Sequence, residues 1–192
     1  MRETATSDAD RFLALLKPIE RDLETYGRRL VWEPEDAPDA LQNAVLRAFA
    51  AFDRYHEDAS FRAWMFKILT NEVFTLNRKH ARIARHEFQL EPEELAGLPF
   101  DGPADAGGSQ PLAAEALNEL LDEDLVAGLR TLTDTERAVL LLRAIGELRY
   151  REIAESLDIP LGSVMGNLSR ARQKMRGWLA RTARRNDVLK ET

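Results

Sequence analysis

The chain has 192 residues, 44% of them hydrophobic, with no cysteine and a formal net charge of −6. That is enough apolar material for one ordinary domain or two small ones and too much for a disordered chain; the lack of cysteine excludes disulfides, thiolate zinc sites and cysteine nucleophiles. The charge falls in blocks, with 14 basic and 14 acidic side chains in residues 1–86, 11 acidic and no basic ones in 87–128, and 13 basic and 8 acidic ones in 129–192, so two stretches able to meet an anionic partner flank one acidic segment.

No apolar run reaches the roughly 18 residues a membrane span needs. The opening MRETATSDADR is polar and lacks the apolar core of a signal peptide, so a cytoplasmic location is expected. The first predicted helix runs from about Ala9 to Leu30, where Phe12, Leu15, Leu16, Ile19, Leu23, Tyr26 and Leu30 recur at three- and four-residue steps. Two prolines and four carboxylates between Trp32 and Asp39 break it. A second helix follows with Leu41, Val45, Ala48, Phe49 and Phe52 on one side, and Asp36 or Asp39 suits its cap.

Asp53 to Ser60 reads as a polar loop. Ser60 caps a third helix through FRAWMFKILTNEVFTLNRKH, with Phe61, Met65 and Ile68 on one face, widened by Trp64, Leu69 and Val73. Its end is basic: Arg78, Lys79, His80, Arg82 and Arg85. Residues 91–111 are rich in Pro, Gly, Ala and acids, the composition of a mobile linker. Helical periodicity returns at Leu112. Thr133 and Glu136 form a capping box for a helix that stops near Gly146. A short helix over 149–157, the turn Asp158-Ile159-Pro160 and a long helix from about Leu161 to Arg181 complete the chain, with Pro160 suited to a helix start. No strand-like alternation is present, and the reading is all-α.

A short helix, a tight turn and a longer helix make a helix-turn-helix, whose second helix lies in the major groove. On the final helix Val164, Leu168, Ala171, Met175 and Trp178 form an apolar seam, while Ser163, Asn167, Arg170 and Lys174 lie on another face. Seven basic residues and no acid occur between Pro160 and Arg185. Phosphates attract such a face whatever the base sequence, and Asn and Arg are side chains that read base edges. Taken alone, Arg170, Arg172, Lys174 and Arg176 are also what a solvated helix face looks like; the helix lengths and the missing acids favour DNA.

From Leu129 to Leu179 the chain resembles region four of the extracytoplasmic-function (ECF) sigma factors of the sigma-70 family. The family pattern is a leucine-rich helix, Y-x-E-I-A-E-x-L, I-P-x-G-T-V and L-x-R-A-R. Tyr150, Glu152, Ile153, Ala154, Glu155, Leu157, Ile159, Pro160, Gly162, Val164, Leu168, Arg170, Ala171 and Arg172 match it, with Ser163 in place of Thr. The N-terminal half resembles region two through Asp39, Gln42, Arg47, Ala48, Phe52, Asp53, Asp58, Ser60, Phe61, Arg62, Trp64, Ile68 and Asn71. Two motif blocks in the family's order cover most of the chain.

The resemblance implies two small helical domains: region two over 1–88, an acidic linker over 89–111, and a region-four helix-turn-helix over 112–192. It implies that Asp39, Gln42, Asn43 and Arg47 dock on a coiled coil of the largest subunit of core RNA polymerase, with the polymerase flap as a second contact. It implies that Arg62, Trp64, Lys67, Asn71, Arg78, Lys79 and Arg82 meet the minus-10 element, where the 53–60 loop and Asn71 receive a flipped base and the cations hold phosphates. A core role for Trp64 stays open beside stacking on melted DNA. Arg149, Tyr150, Ser163, Gly166, Asn167, Arg170 and Lys174 are implied at the minus-35 element. An anti-sigma factor is the implied regulator, and no cofactor is expected.

Three positions depart from the pattern. Asn43 replaces an expected Glu, Met165-Gly166-Asn167 replaces the usual K-S-R, and Thr75 stands where Asp or Asn is frequent. Gly166 costs roughly 1 kcal/mol of helix propensity relative to Ala, or else admits a close backbone approach. A degenerate sigma-like protein that sequesters an anti-sigma factor, and a non-sigma helix-turn-helix regulator, therefore remain alternatives. An enzyme is disfavoured: His56, His80 and His86 lack metal-ligand or triad spacing, and no carboxylates pair as acid and base.

Overall fold

The computed structural model describes residues 7–56, 60–88 and 123–190. Asp58, the acidic stretch 91–111 and the renewed periodicity at Leu112 lie outside the described residues. Every regular element among the described residues is helical, in two lobes of four α-helices each.

The first lobe opens with α1 (Asp8–Leu16), capped by Ser7, whose Oγ accepts from the Asp10 N–H at 3.2 Å while Asp10 accepts from the Ser7 N–H. The continuous helix expected over 9–30 is broken. Pro18 lacks an N–H and its ring crowds the preceding turn, so Lys17–Ile19 tightens to a 3-10 turn before α2 (Glu20–Leu30) begins. The apolar face survives the break: Phe12, Leu16, Ile19, Leu23, Tyr26 and Leu30 are all buried.

Helix α3 (Ala37–Ala50) corrects two expectations. Neither Asp36 nor Asp39 caps it; Asp36 occupies the cap position, but its carboxylate meets His80 Nε2 at 2.6 Å instead. The expected face is the buried one only in part: Ala48 and Phe52 are buried and Leu41 and Val45 pack against the core, but Phe49 turns outward. The buried stripe is Ala37, Ala40, Ala44 and Ala48, while Leu41 and Val45 are half-buried and Phe49 is 45% exposed. Small side chains let α3 lie close against α4, and close approach brings more atoms into dispersion contact.

Helix α4 (Phe61–Phe88) starts where Ser60 Oγ accepts from the Ala63 N–H at 3.2 Å, and it runs on past His80. Phe61, Met65, Phe66, Leu69 and Val73 are buried. Thr70 gives its single proton to the Phe66 carbonyl at 2.6 Å, so the Tyr26 hydroxyl, 2.7 Å away, is the donor to Thr70. Burial raises the Tyr26 pKa far above its usual value, although the Thr70 hydrogen bond opposes this. Buried Asn77 ties α4 to the end of α2, donating to the Leu30 carbonyl and accepting from the Trp32 N–H.

The second lobe comprises α5 (Glu123–Arg130), α6 (Asp134–Ala144), α7 (Tyr150–Leu157) and α8 (Leu161–Lys190). The Thr133–Glu136 capping box forms as expected. Helix α6 is buried almost all round, from Glu136 to Leu142. It stops at Gly146, where a Cβ would sit 2.6 Å from the Leu142 carbonyl oxygen. Asp158 takes the left-handed conformation (φ 53°) that ends α7, and the turn leads directly into α8, which continues beyond Arg181.

The lobes pack on each other, α4 against α7 and α2 against α6. Trp32 Nε1 donates to Asp134 Oδ1 at 3.0 Å across this boundary.

Candidate nucleic-acid interface

The turn at 158–160 sets α8 across the other helices of its lobe. Val164, Leu168, Ala171 and Met175 are buried there. Trp178 lies over Gly128, where a Cβ would come within 2.9 Å of the indole. Burying this seam leaves the neighbouring face of α8 toward solvent, with Ser163, Gly166 and Asn167 half-buried and Arg170 and Lys174 exposed.

These side chains form a connected line. Asn167 Nδ2 donates to the Ser163 carbonyl at 2.8 Å, and Arg170 donates to Asn167 Oδ1 at 2.9 Å. Arg170 Nε lies 3.4 Å from Glu136 Oε1, and Lys174 Nζ donates to Glu136 Oε2 at 2.7 Å. The Glu136 side chain is only 4% exposed. Burial works to raise its pKa, but the hydrogen bonds from Lys174 and the Thr133 N–H, with the charges of Lys174 and Arg170, outweigh it and hold the carboxyl below the usual range. A cleft of about 510 Å³ opens beside this cluster, lined by Glu136, Arg170, Gln173, Lys174 and Arg181. The reading of Glu136 as a helix cap found one of its roles; its grip on α8 was not foreseen.

Gly166 lies under the Arg170 guanidinium. A Cβ there would be 3.4 Å from one terminal nitrogen, an ordinary contact, and a longer side chain would compete for the same space. Arg149 is exposed at the start of α7 with its N–H bonded to Glu152, and Tyr150 is half-buried with the Arg143 guanidinium 5.7 Å from its ring centroid.

On α4, Asn71, Arg78, Lys79 and Arg82 are exposed. The Arg85 side chain lies outside the described residues. Trp64 is half-buried, 5.3 Å from Tyr55 and 5.7 Å from Phe61 between ring centroids, in a cluster that also holds Phe52 and Phe12. Arg62 and Lys67 stand apart from the open set. Arg62 bonds Asp22 at 2.7 Å and reaches across to the carbonyls of Ile145 (2.7 Å) and Gly146 (2.6 Å). Lys67 Nζ donates to the Glu155 carbonyl at 2.9 Å. The second lobe thus bonds two of the cations that the sequence groups with Asn71, half-buried Arg62 and exposed Lys67.

On α3, Asp39, Gln42, Asn43 and Arg47 are all exposed, and Arg47 pairs with Glu72 of α4 at 2.8 Å. Leu46 and Phe49 join them on the surface, 59% and 45% exposed. Sequence periodicity places Phe49 on the same side as Leu41, Val45 and Ala48 and does not single out Leu46. Among the described residues, no cluster of three metal-ligating side chains occurs and no helix is long and apolar enough to cross a membrane.

Comparison with known proteins identifies both lobes. Residues 15–83 match the family model described as sigma-70 region 2, and residues 122–175 match that described as sigma-70, region 4. The chain is 26% identical over 176 residues to the ECF RNA polymerase sigma factor SigW of Bacillus subtilis, covering 92% of each protein. It is 29% identical over 153 residues to the ECF RNA polymerase sigma factor SigE of Mycolicibacterium smegmatis, covering 80% of this chain and 55% of that one. In fold it is similar to the sigma factor RpoE in its complex with the anti-sigma factor NepR from Bartonella quintana, with a TM-score of 0.68 and 23% identity over 88% of this chain and 97% of that one. It is also similar to CnrH in complex with the cytosolic domain of CnrY, with a TM-score of 0.60 and 22% identity over 90% of this chain and 89% of that one. Two region models in the family's order, on two helical lobes with the matching helix-turn-helix, show that this chain belongs to the extracytoplasmic-function group of the sigma-70 family.

Proposed function

We propose that the chain is a working sigma factor: it binds core RNA polymerase, directs it to specific promoters and starts transcription, and it does no chemistry of its own. The observation that carries this reading is the face of α8, where half-buried Ser163 and Asn167 and exposed Arg170 and Lys174 line one side of a helix whose other side is a buried apolar seam. Such a row meets phosphates and base edges in a major groove at the minus-35 element, with Gly166 on the same face and Arg149 and Tyr150 supporting it from α7. The outer face of α4, with Trp64, Asn71, Arg78, Lys79 and Arg82, serves the minus-10 element. The exposed row of Asp39, Gln42, Asn43 and Arg47, together with Leu46 and Phe49, docks on the largest-subunit coiled coil of the polymerase, and the second lobe meets its flap. The two working parts are residues 1–88 and 112–192, joined by the acidic segment 89–111, and the protein acts in the cytoplasm.

Arg62 and Lys67 belong to the minus-10 set in this reading, yet both bond the second lobe. Their use on DNA requires the lobes to part, and core polymerase supplies the binding energy for that. An anti-sigma factor covering the same surfaces keeps the protein inactive, as suggested by the similar fold of RpoE in its complex with the anti-sigma factor NepR.

The test is reconstitution with core RNA polymerase and runoff transcription on genomic promoter fragments at stated salt, since phosphate contacts make affinity salt-dependent. Protein-dependent specific transcripts, lost on Trp64→Ala or Asn71→Ala while core binding persists, support the proposal. Absent core binding and transcription, with retained capture of an anti-sigma partner, replace it with the sequestering reading and point to Asn43 and Met165-Gly166-Asn167 as the cause.

A further inference from the structure

Glu136 lies outside the recognition helix, in the first turn of α6, and only the fold brings it to α8. It is buried, bonds Lys174 at 2.7 Å and sits 3.4 Å from Arg170. Arg170 in turn donates to Asn167 Oδ1, and Asn167 donates to the Ser163 carbonyl. One lone pair of the Asn167 oxygen and one amide proton are used in this line. One of each remains, the pair of groups with which an amide reads N6 and N7 of adenine. The direction in which the amide points is therefore set by Arg170, and Arg170 is held by Glu136 while its guanidinium lies beside Gly166. Glu136 also offsets one of the two cationic charges it touches. Arg170 and Lys174 are thereby aimed side chains rather than free phosphate-seeking ones.

We propose that Glu136 is a positioning residue that sets base preference at the minus-35 element by fixing Arg170 and, through it, the amide of Asn167. This deepens the reading of the α8 face given above and rests on it. Glu136 touches no DNA itself. Its removal should weaken discrimination while strengthening indiscriminate binding.

The discriminating variant is Glu136→Gln, because glutamine at this position still completes a capping box but carries no charge. The full chain is reconstituted with core RNA polymerase. Binding is measured on a promoter fragment and on fragments carrying single base changes in the minus-35 element, across a range of salt. With Arg170 and Lys174 released, the log–log salt slope should steepen by about one to two, each added phosphate contact contributing about 0.9. Discrimination between matched and singly mismatched fragments should fall roughly tenfold at the base pairs that Asn167 and Arg170 read.

Two companions separate the explanations. Thr133→Ala removes the cap hydroxyl and leaves the Glu136 charge in place; it should lower thermal stability without altering base preference. An equal change of preference in Thr133→Ala would make the effect one of helix stability and overturn the proposal. Arg170→Ala tests the underlying reading. If it weakens promoter binding while Glu136→Gln alters neither slope nor preference, Glu136 positions nothing and the inference falls alone. If Arg170→Ala has no effect on promoter binding, the α8 face is not the minus-35 reader and both fall. In an Arg170→Ala background, Glu136→Gln should add no further loss of discrimination, a coupling that holds even where both variants are somewhat less stable.

Discussion

Arg62→Ala removes the two hydrogen bonds by which the first lobe holds the end of α6. The guanidinium donates to the carbonyls of Ile145 and Gly146, both left without a partner further along the helix once α6 ends, and its bond to Asp22 stays within its own lobe. A hydrogen bond from a charged donor contributes about 1.5–3 kcal/mol when well buried. The Arg62 side chain is 24% exposed, so about 1 kcal/mol for each cross-lobe bond is appropriate. The closed arrangement then loses about 2 kcal/mol relative to an open one, a shift of roughly thirty-fold in their ratio.

Because the chain has no native cysteine, a pair introduced at Lys67 and Glu155 reports closure directly. Lys67 Nζ lies 2.9 Å from the Glu155 carbonyl, so a short bis-maleimide should bridge the two sites only while the lobes are together. Arg62→Ala in this background should reduce the rate of cross-linking severalfold or more, and Arg62→Lys should fall between, since a single ammonium lacks the planar fork that spans two carbonyls. Core polymerase should suppress cross-linking, and the cross-linked chain should fail to initiate. An unchanged rate in Arg62→Ala would mean that the apolar packing of α4 on α7 and α2 on α6 holds the lobes by itself, and that the hydrogen-bond reasoning is wrong.

Other consequences are equally direct. Tyr26→Phe deletes the donor to Thr70 but leaves Thr70 bonded to Phe66, so it should cost about 1 kcal/mol and lower Tm by about 2–4 °C; a neutral result in a melt would show that this bond contributes nothing net. Gly146→Ala places a Cβ 2.6 Å from a backbone oxygen that has no room to retreat, and should destabilise by about 1–3 kcal/mol in denaturant titration. Gly166→Ala meets only ordinary contact with Arg170, so it should stabilise α8 by about 1 kcal/mol and leave base preference intact; a loss of preference would show that even one methyl displaces Arg170. Burial opposes ionisation of Glu136, yet its partners hold the folded pKa below the unfolded value of about 4.3. The stabilisation is thus present above that pH and fades as pH falls through the lower folded value. The stability gap between wild type and Glu136→Gln should accordingly narrow on acidification, and a gap that stays constant with pH would contradict the charged grip on Lys174.

Much of this architecture was legible from the chain because it rests on interactions three or four residues apart. The Thr133–Glu136 box, the Ser60 cap, the turn at 158–160 and the apolar seam from Val164 to Met175 all follow from such spacing, and the family patterns are built from the same local features. The break at Pro18 was equally local, and the continuous apolar face over it obscured it. Burial on α3 was not local. The partner helix took the alanine stripe into the centre, with Leu41 and Val45 packed at its edge and Leu46 and Phe49 largely at the surface. The second role of Glu136 depends on α8 crossing α6, which joins residues 38 positions apart at Lys174. The hold on Arg62 and Lys67 joins groups 83 to 88 positions apart. Periodicity carries no information at that range. Which charges are free and which are held was decided by the packing of the helices, since a carbonyl or carboxylate becomes a partner only when tertiary structure brings it within hydrogen-bonding distance.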